Sequence, residues 1–157
     1  MPNLIEGQLK CSPDWKIVVI ASRFNELITN KLVGGALDYL TRSGVSDSHI
    51  DLIWVPGAFE IPAVAARVLE LDKYQGVLCL GAIIRGSTSH YDIVAGESAK
   101  GLASLGLKHN VPVINSIITT ENIEQALERA GTKAGNKGFD TAMALVEMIS
   151  LYDNLKS

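Results

Sequence analysis

Four predominantly apolar, β-prone runs punctuate the chain: KIVVIAS at 16–22, IDLIWV at 50–55, VLCLGAII at 77–84 and VPVINSIIT at 111–119. Long apolar runs of this kind suit strands covered on both faces, as in parallel sheets. Between them the period changes to that of helices. Residues 25–43 carry Ile28, Leu32, Ala36 and Leu40 on one stripe, with Gly44 as a stop. Residues 59–71 group Ile61, Val64, Ala65 and Val68, and Pro62 falls in the first turn, where its missing N–H does no harm. A third helix is predicted over 91–107. It contains Gly96, Gly101 and Gly106, each about 1 kcal/mol worse than Ala in a helix, which points to close packing by a neighbour. A fourth runs from 120–122 to about 130. A kinked Gly- and Lys-rich connector follows at 131–138, then a last helix over 139–154 with Phe139, Ala142, Met143, Val146 and Ile149 on one stripe.

Strands alternating with helices predict an α/β fold, a four-stranded parallel sheet with helices on both faces. Residues 1–15 fit no helical period despite Leu4, Ile5 and Leu9. They read either as a loose arm or as a strand that adds to another subunit's sheet edge.

Composition narrows the class. The chain has 157 residues, 47% apolar and 20% charged, which fits one ordinary globular domain. A formal net charge of −3 with dispersed Lys and Arg argues against nucleic acid as a partner. The longest apolar stretch, 77–84, is far short of the roughly 20 residues of a membrane helix. No targeting segment is read at the start, and Cys11 and Cys79 suggest no disulfide framework. A cytoplasmic protein with no membrane partner is expected.

Ligands of parallel α/β sheets bind outside the carboxyl ends of the strands. That rule selects 23–25, 56–60, 85–90 and 115–120, which should converge on one rim. At 86–90 the sequence Gly-Ser-Thr-Ser-His leaves backbone N–H groups ahead of a helix start, a setting that suits an anion such as phosphate. His90 is a helix cap, a core histidine or a proton-transfer residue. Phe24 is either a core ring or one that stacks on a flat heterocycle. Glu60 either complements a helix dipole or binds the N–H edge of a polar ring. Arg129 either caps carbonyls or reaches a phosphate. Lys133 and Lys137 read as surface lysines, the second also a candidate phosphate support. No Gly-x-Gly-x-x-Gly or Gly-Lys-Ser/Thr fingerprint occurs, and no Cys/His set has metal-ligand spacing.

Four motifs in order carry a resemblance: Arg23-Phe24-Asn25, Val-Pro-Gly-Ala-Phe-Glu-Ile-Pro at 55–62, 81 through His90, and Glu-Arg-Ala-Gly-Thr-Lys-Ala-Gly-Asn at 128–136. From Lys16 on, the chain resembles the 6,7-dimethyl-8-ribityllumazine synthases of riboflavin biosynthesis. The resemblance implies a flavodoxin-like three-layer sandwich and a transferase without metal or organic cofactor. It would join 5-amino-6-(D-ribitylamino)uracil to 3,4-dihydroxy-2-butanone 4-phosphate, releasing phosphate and water. It implies that Phe24 stacks on the uracil ring, and that Ala58, Phe59 and Glu60 hold the ribityl chain and ring edge. Ala82, Ile83 and Ile84 would meet the uracil through backbone. Ser87 and Thr88 would bind the phosphate, with Arg129 reaching in from a neighbouring subunit, and His90 would transfer protons. Asn115 stands where the family commonly has an aromatic contact to the uracil. The resemblance also implies a homopentamer, a 60-subunit shell suggested by the compact 131–136 connector, and riboflavin synthase as a candidate partner. The competing readings are a flavin- or lumazine-binding module without turnover, and a purely structural shell protein.

Overall fold

The computed structural model describes residues 1–132 and 135–156. Its order is β1 (Ile17–Ser22), α1 (Glu26–Arg42), β2 (Ile50–Val55), α2 (Ile61–Glu70), β3 (Gly76–Ile84), α3 (His90–Lys108), β4 (Val113–Thr120), α4 (Ile123–Leu127) and α5 (Lys137–Leu155). Short 3-10 turns precede β2 (Asp47–His49) and α2 (Ala58–Glu60). All strand pairs are parallel, in the order β2-β1-β3-β4, with Ile17 opposite both Ile50 and Gly76, and Val77 opposite Val113.

The burial of each strand follows its place in the sheet. All six residues of β1 are buried, and β3 is buried except at Ile84, because helices cover both faces of the centre. The outer strand β2 exposes Asp51 and Leu52. Val19, Leu78 and Leu80 pack with Ile28, Leu32 and Leu40 of α1 and with Leu145, Val146 and Ile149 of α5. On the other face Val18, Ile20, Val77 and Cys79 meet Ile61, Ala65 and Val68 of α2 and Leu102 of α3. Each fully buried Leu or Ile contributes about 1.5–3 kcal/mol relative to exposure. Cys11 and Cys79 are free and buried; burial pushes the Cys11 thiol up to about 11 and Cys79 higher still. Among the described residues, no helix is long and apolar enough to cross a membrane.

The differences from expectation are local. β4 begins at Val113 rather than 111. α3 begins at His90, one residue early. α4 stops at Leu127 and gives way to a wide turn, Glu128–Thr132, in which Gly131 has φ 118°. Residue 137 is not in the connector: Lys137 opens α5, because the Asn136 side chain accepts a hydrogen bond from the Phe139 N–H (3.0 Å) and caps the helix two residues before its predicted start. Lys133 and Ala134, inside the predicted connector, lie outside the described residues. Gly101 does pack closely: a Cβ there would sit 2.8 Å from Pro62 Cβ, so its absence lets α3 approach α2. At Gly96 and Gly106 a Cβ would meet nothing within 4 Å, so packing within the chain does not account for them.

The first sixteen residues form no helix or strand, yet they are not loose. They dock on the chain's own α5, where a Cβ on Gly7 would fall 2.0 Å from the Glu147 carbonyl oxygen. The Gln8 N–H donates to Ser150 Oγ (3.0 Å), and Asn154 Nδ2 donates to the Glu6 carbonyl (2.9 Å). Trp15 and Cys11 join the core, while Leu4, Ile5 and Leu9 face outward.

Candidate active site

The site begins where β1 ends. β1 pairs with β3 only as far as Ala21 opposite Leu80, then turns toward β2: the Arg23 N–H donates to the Val55 carbonyl (2.8 Å) and the Phe24 N–H to the Pro56 carbonyl (3.0 Å). β3 continues to Ile84 with β4 on one side only. Its other flank is therefore open beyond Leu80, at the point where strand order reverses, the usual ligand crevice of such sheets. Asn25 partly closes the gap. It holds a left-handed backbone (φ 63°, ψ 44°), and its Nδ2 donates to the Ala82 carbonyl (2.9 Å) in place of a strand. Because the Arg85 N–H donates to Thr120 on the β4 side (2.9 Å), alternation turns the N–H and C=O of Ile84 to the open flank.

A cleft of about 690 Å³ opens there, lined by four segments: Phe24 and Asn25; residues 56–60; residues 82–84; and Gly86, Thr88, His90, Tyr91, Ile93 and Val94. Phe24 is 72% exposed and Phe59 53%, so neither is a core ring; each presents an apolar surface to the cleft. Ala58 is buried beneath it. Glu60 precedes α2 and makes no capping hydrogen bond with its side chain.

His90 is the first residue of α3 and is exposed, which excludes a core histidine. Its ring makes no hydrogen bond among the described residues, while its N–H donates to Thr88 Oγ1 (3.3 Å). In the loop before it, no described residue accepts from the N–H groups of Ser87, Thr88 or Ser89, and Ser89 caps α3 without a side-chain bond. The loop with these N–H groups, the Thr88 hydroxyl at the cleft edge and the start of α3 thus adjoin the cleft, an arrangement suited to an anion.

The fold brings Phe24, Ala58, Phe59, Glu60, Ala82, Ile83, Ile84, Thr88 and His90 to one cleft. Ser87 lies in the adjoining loop but does not line it. The fourth expected segment does not converge. Asn115 is exposed on the outer strand β4, its Oδ1 accepting from the Ile117 N–H (3.0 Å). Arg129 is exposed and its Nη1 donates to the Thr119 carbonyl of β4 (3.0 Å), not to a helix-end carbonyl. Lys137 is exposed at the start of α5. None of the three reaches the cleft of its own chain. Asn25 and Gly86 also line it, within segments selected from sequence but without a role given there, whereas Tyr91, Ile93 and Val94 were not selected from sequence. Ile93 and Val94 carried a signal, standing three and four residues after His90 on one helix face.

The profile of the 6,7-dimethyl-8-ribityllumazine synthase family matches residues 14–153. The chain belongs to this family. It is also 54% identical over 153 residues to a protein of Wolinella succinogenes named 6,7-dimethyl-8-ribityllumazine synthase, a match spanning 98% of both chains. The matched region spans β1 through nearly all of α5, so every cleft segment lies inside it.

Proposed function

We propose that this lumazine synthase family member condenses 5-amino-6-(D-ribitylamino)uracil with 3,4-dihydroxy-2-butanone 4-phosphate, as a transferase of riboflavin biosynthesis. The observation that carries the reading is the cleft itself. An open strand flank, an exposed aromatic, a carboxylate and an anion-suited loop with a histidine face one space in a chain of this family.

Each part has a task in the chemistry. The ring of Phe24 stacks on the uracil. The Ile84 backbone groups on the open flank pair with the polar ring edge, Ala82 and Ile83 line the pocket beside them, and Glu60 with Ala58 and Phe59 hold the ribityl chain and ring. Ser87 and Thr88, with the loop N–H groups, take the phosphate. The 5-amino group attacks the ketone, and loss of water forms an imine. Phosphate is then eliminated, and the ribityl-bearing nitrogen closes the ring with loss of a second water. Every step moves a proton, and His90 stands where it can accept and return one, a contribution of typically about 10²–10⁴-fold. Holding both substrates in register adds several kcal/mol more.

Arg129, Asn115 and Lys137 lie outside the cleft of their own chain, which supports a site completed by a neighbour in a cytoplasmic homopentamer. The further steps are a 60-subunit shell and association with riboflavin synthase. Complementation tests the shared site. Co-assembled His90→Ala and Arg129→Ala subunits, each inactive alone, recover about a quarter of wild-type activity if His90 and Arg129 meet across an interface. No recovery overturns the shared site. A pH–rate profile unchanged by His90→Ala refutes proton transfer by that residue.

A further inference from the structure

Arg85 stands between β3 and the loop 86–89, outside the cleft lining, and its charged end is engaged. Nε donates to Glu121 Oε2 (2.8 Å), Nη2 lies 3.4 Å from Asp92 Oδ1, and the guanidinium carbon sits 4.2 Å from the centre of the Tyr91 ring. Its backbone N–H also holds the Thr120 carbonyl. One residue thus ties the end of β3, the first turn of α3 and the exit of β4, with the anion-suited loop strung between two of those ties. The charges are unequal. Asp92 is two residues beyond His90, and Glu121 follows β4, so one guanidinium offsets two carboxylates beside a loop suited to an anion.

We infer that Arg85 is a positioning residue: through its ion pairs it fixes the start of α3 and neutralises the Asp92 and Glu121 carboxylates that would otherwise repel the phosphate of the second substrate. It does so from outside the cleft lining, with Nε and Nη2 turned to the carboxylates and the flat face of the guanidinium to Tyr91. The inference rests on the loop 86–89 as the phosphate subsite. Its signature is selective: the phosphate-bearing substrate senses the charge balance, and the uncharged uracil far less.

The test measures the KM of each substrate and inhibition by inorganic phosphate, in wild type, Arg85→Gln, and Arg85→Gln combined with Asp92→Asn and Glu121→Gln. In Arg85→Gln, the KM of the butanone phosphate and the inhibition constant of phosphate rise about tenfold at low salt, while the uracil KM stays within about twofold. Raising the salt concentration shrinks the difference, and the triple variant recovers most of the lost phosphate affinity. Exposed ion pairs add little to stability, so Arg85→Gln should melt near wild type. Phosphate inhibition unchanged in Arg85→Gln overturns the inference, as does an equal rise in both KM values with a lower melting temperature. Failure of the triple variant to recover overturns the charge-neutralising role. If Arg85→Gln does not fold, Asp92→Asn with Glu121→Gln in the wild-type background decides: phosphate binds more tightly, or the inference falls. A wild-type enzyme untouched by phosphate refutes the subsite reading itself, whatever Arg85 does.

Discussion

Asn25 joins backbone strain to the floor of the cleft, and a short substitution series separates the two. Its φ of 63° is left-handed, a region that costs an ordinary L-residue about 1–2 kcal/mol and that Asn tolerates. Its Nδ2 bond to the Ala82 carbonyl is worth about 0.5–1.5 kcal/mol. Asn25→Ala loses the bond and meets the backbone penalty, about 2.5 kcal/mol in all. Asn25→Gly loses the bond but accepts the left-handed backbone, and only adds about 0.4–1 kcal/mol of unfolded-chain entropy, for a total near 1.5 kcal/mol. Asn25→Asp keeps the backbone tolerance but sets carboxylate oxygens against the carbonyl. At about 2–4 °C per kcal/mol for a chain of this size, the Ala variant melts about 5–10 °C below wild type and the Gly variant about 3–6 °C below, compared at one protein concentration. All three should raise the KM of the uracil substrate, because the Ala82 carbonyl loses its tether. Equal melting temperatures for Ala and Gly would refute the strain argument. A wild-type KM in all three would show that Asn25 does not organise the floor.

Three further outcomes are expected. Gly138→Ala should lower the melting temperature although Ala is the better helix former by about 1 kcal/mol, because its Cβ would fall 2.0 Å from the Leu32 carbonyl oxygen and drive α5 off α1, overpacking worth about 3 kcal/mol; a stabilised variant would contradict that contact. Tyr74 is raised to about 12 by burial, then by its hydrogen bond to Asp51, so the folded state favours the protonated phenol. Its stabilisation is complete below pH 10 and lost as pH climbs from 10 toward 12, and Tyr74→Phe should remove that part of the alkaline unfolding profile. Asn115→Phe should lower the KM of the uracil substrate several-fold in the assembled enzyme; an unchanged KM would mean that the position is contacted only through backbone.

The strands were legible because buried parallel strands read as long apolar runs, and 16–22 and 77–84 became β1 and β3 almost residue for residue. Three cleft segments followed from the rule that ligands gather at strand ends. Strand order was not readable, since parallel pairing leaves no trace in local pattern. Nor was the task of Asn25, whose amide replaces a strand hydrogen bond with Ala82, fifty-seven positions away. The start of α5 was misplaced because the Asn136 cap was taken as part of a Gly-rich connector. The arm on α5 depends on a backbone approach at Gly7 that no periodicity records. Asn115, Arg129 and Lys137 lie outside the cleft of their own chain, which the site proposed to be shared between subunits would explain.

The most direct measurement mixes the purified protein with the two substrates and follows lumazine absorbance together with released phosphate. Lumazine and phosphate should form in equal amounts, and substitution of His90 should slow both alike. Tight binding of the uracil substrate with no lumazine formed would contradict the proposed catalysis and leave a binding module; assembly with neither binding nor turnover would leave a structural shell.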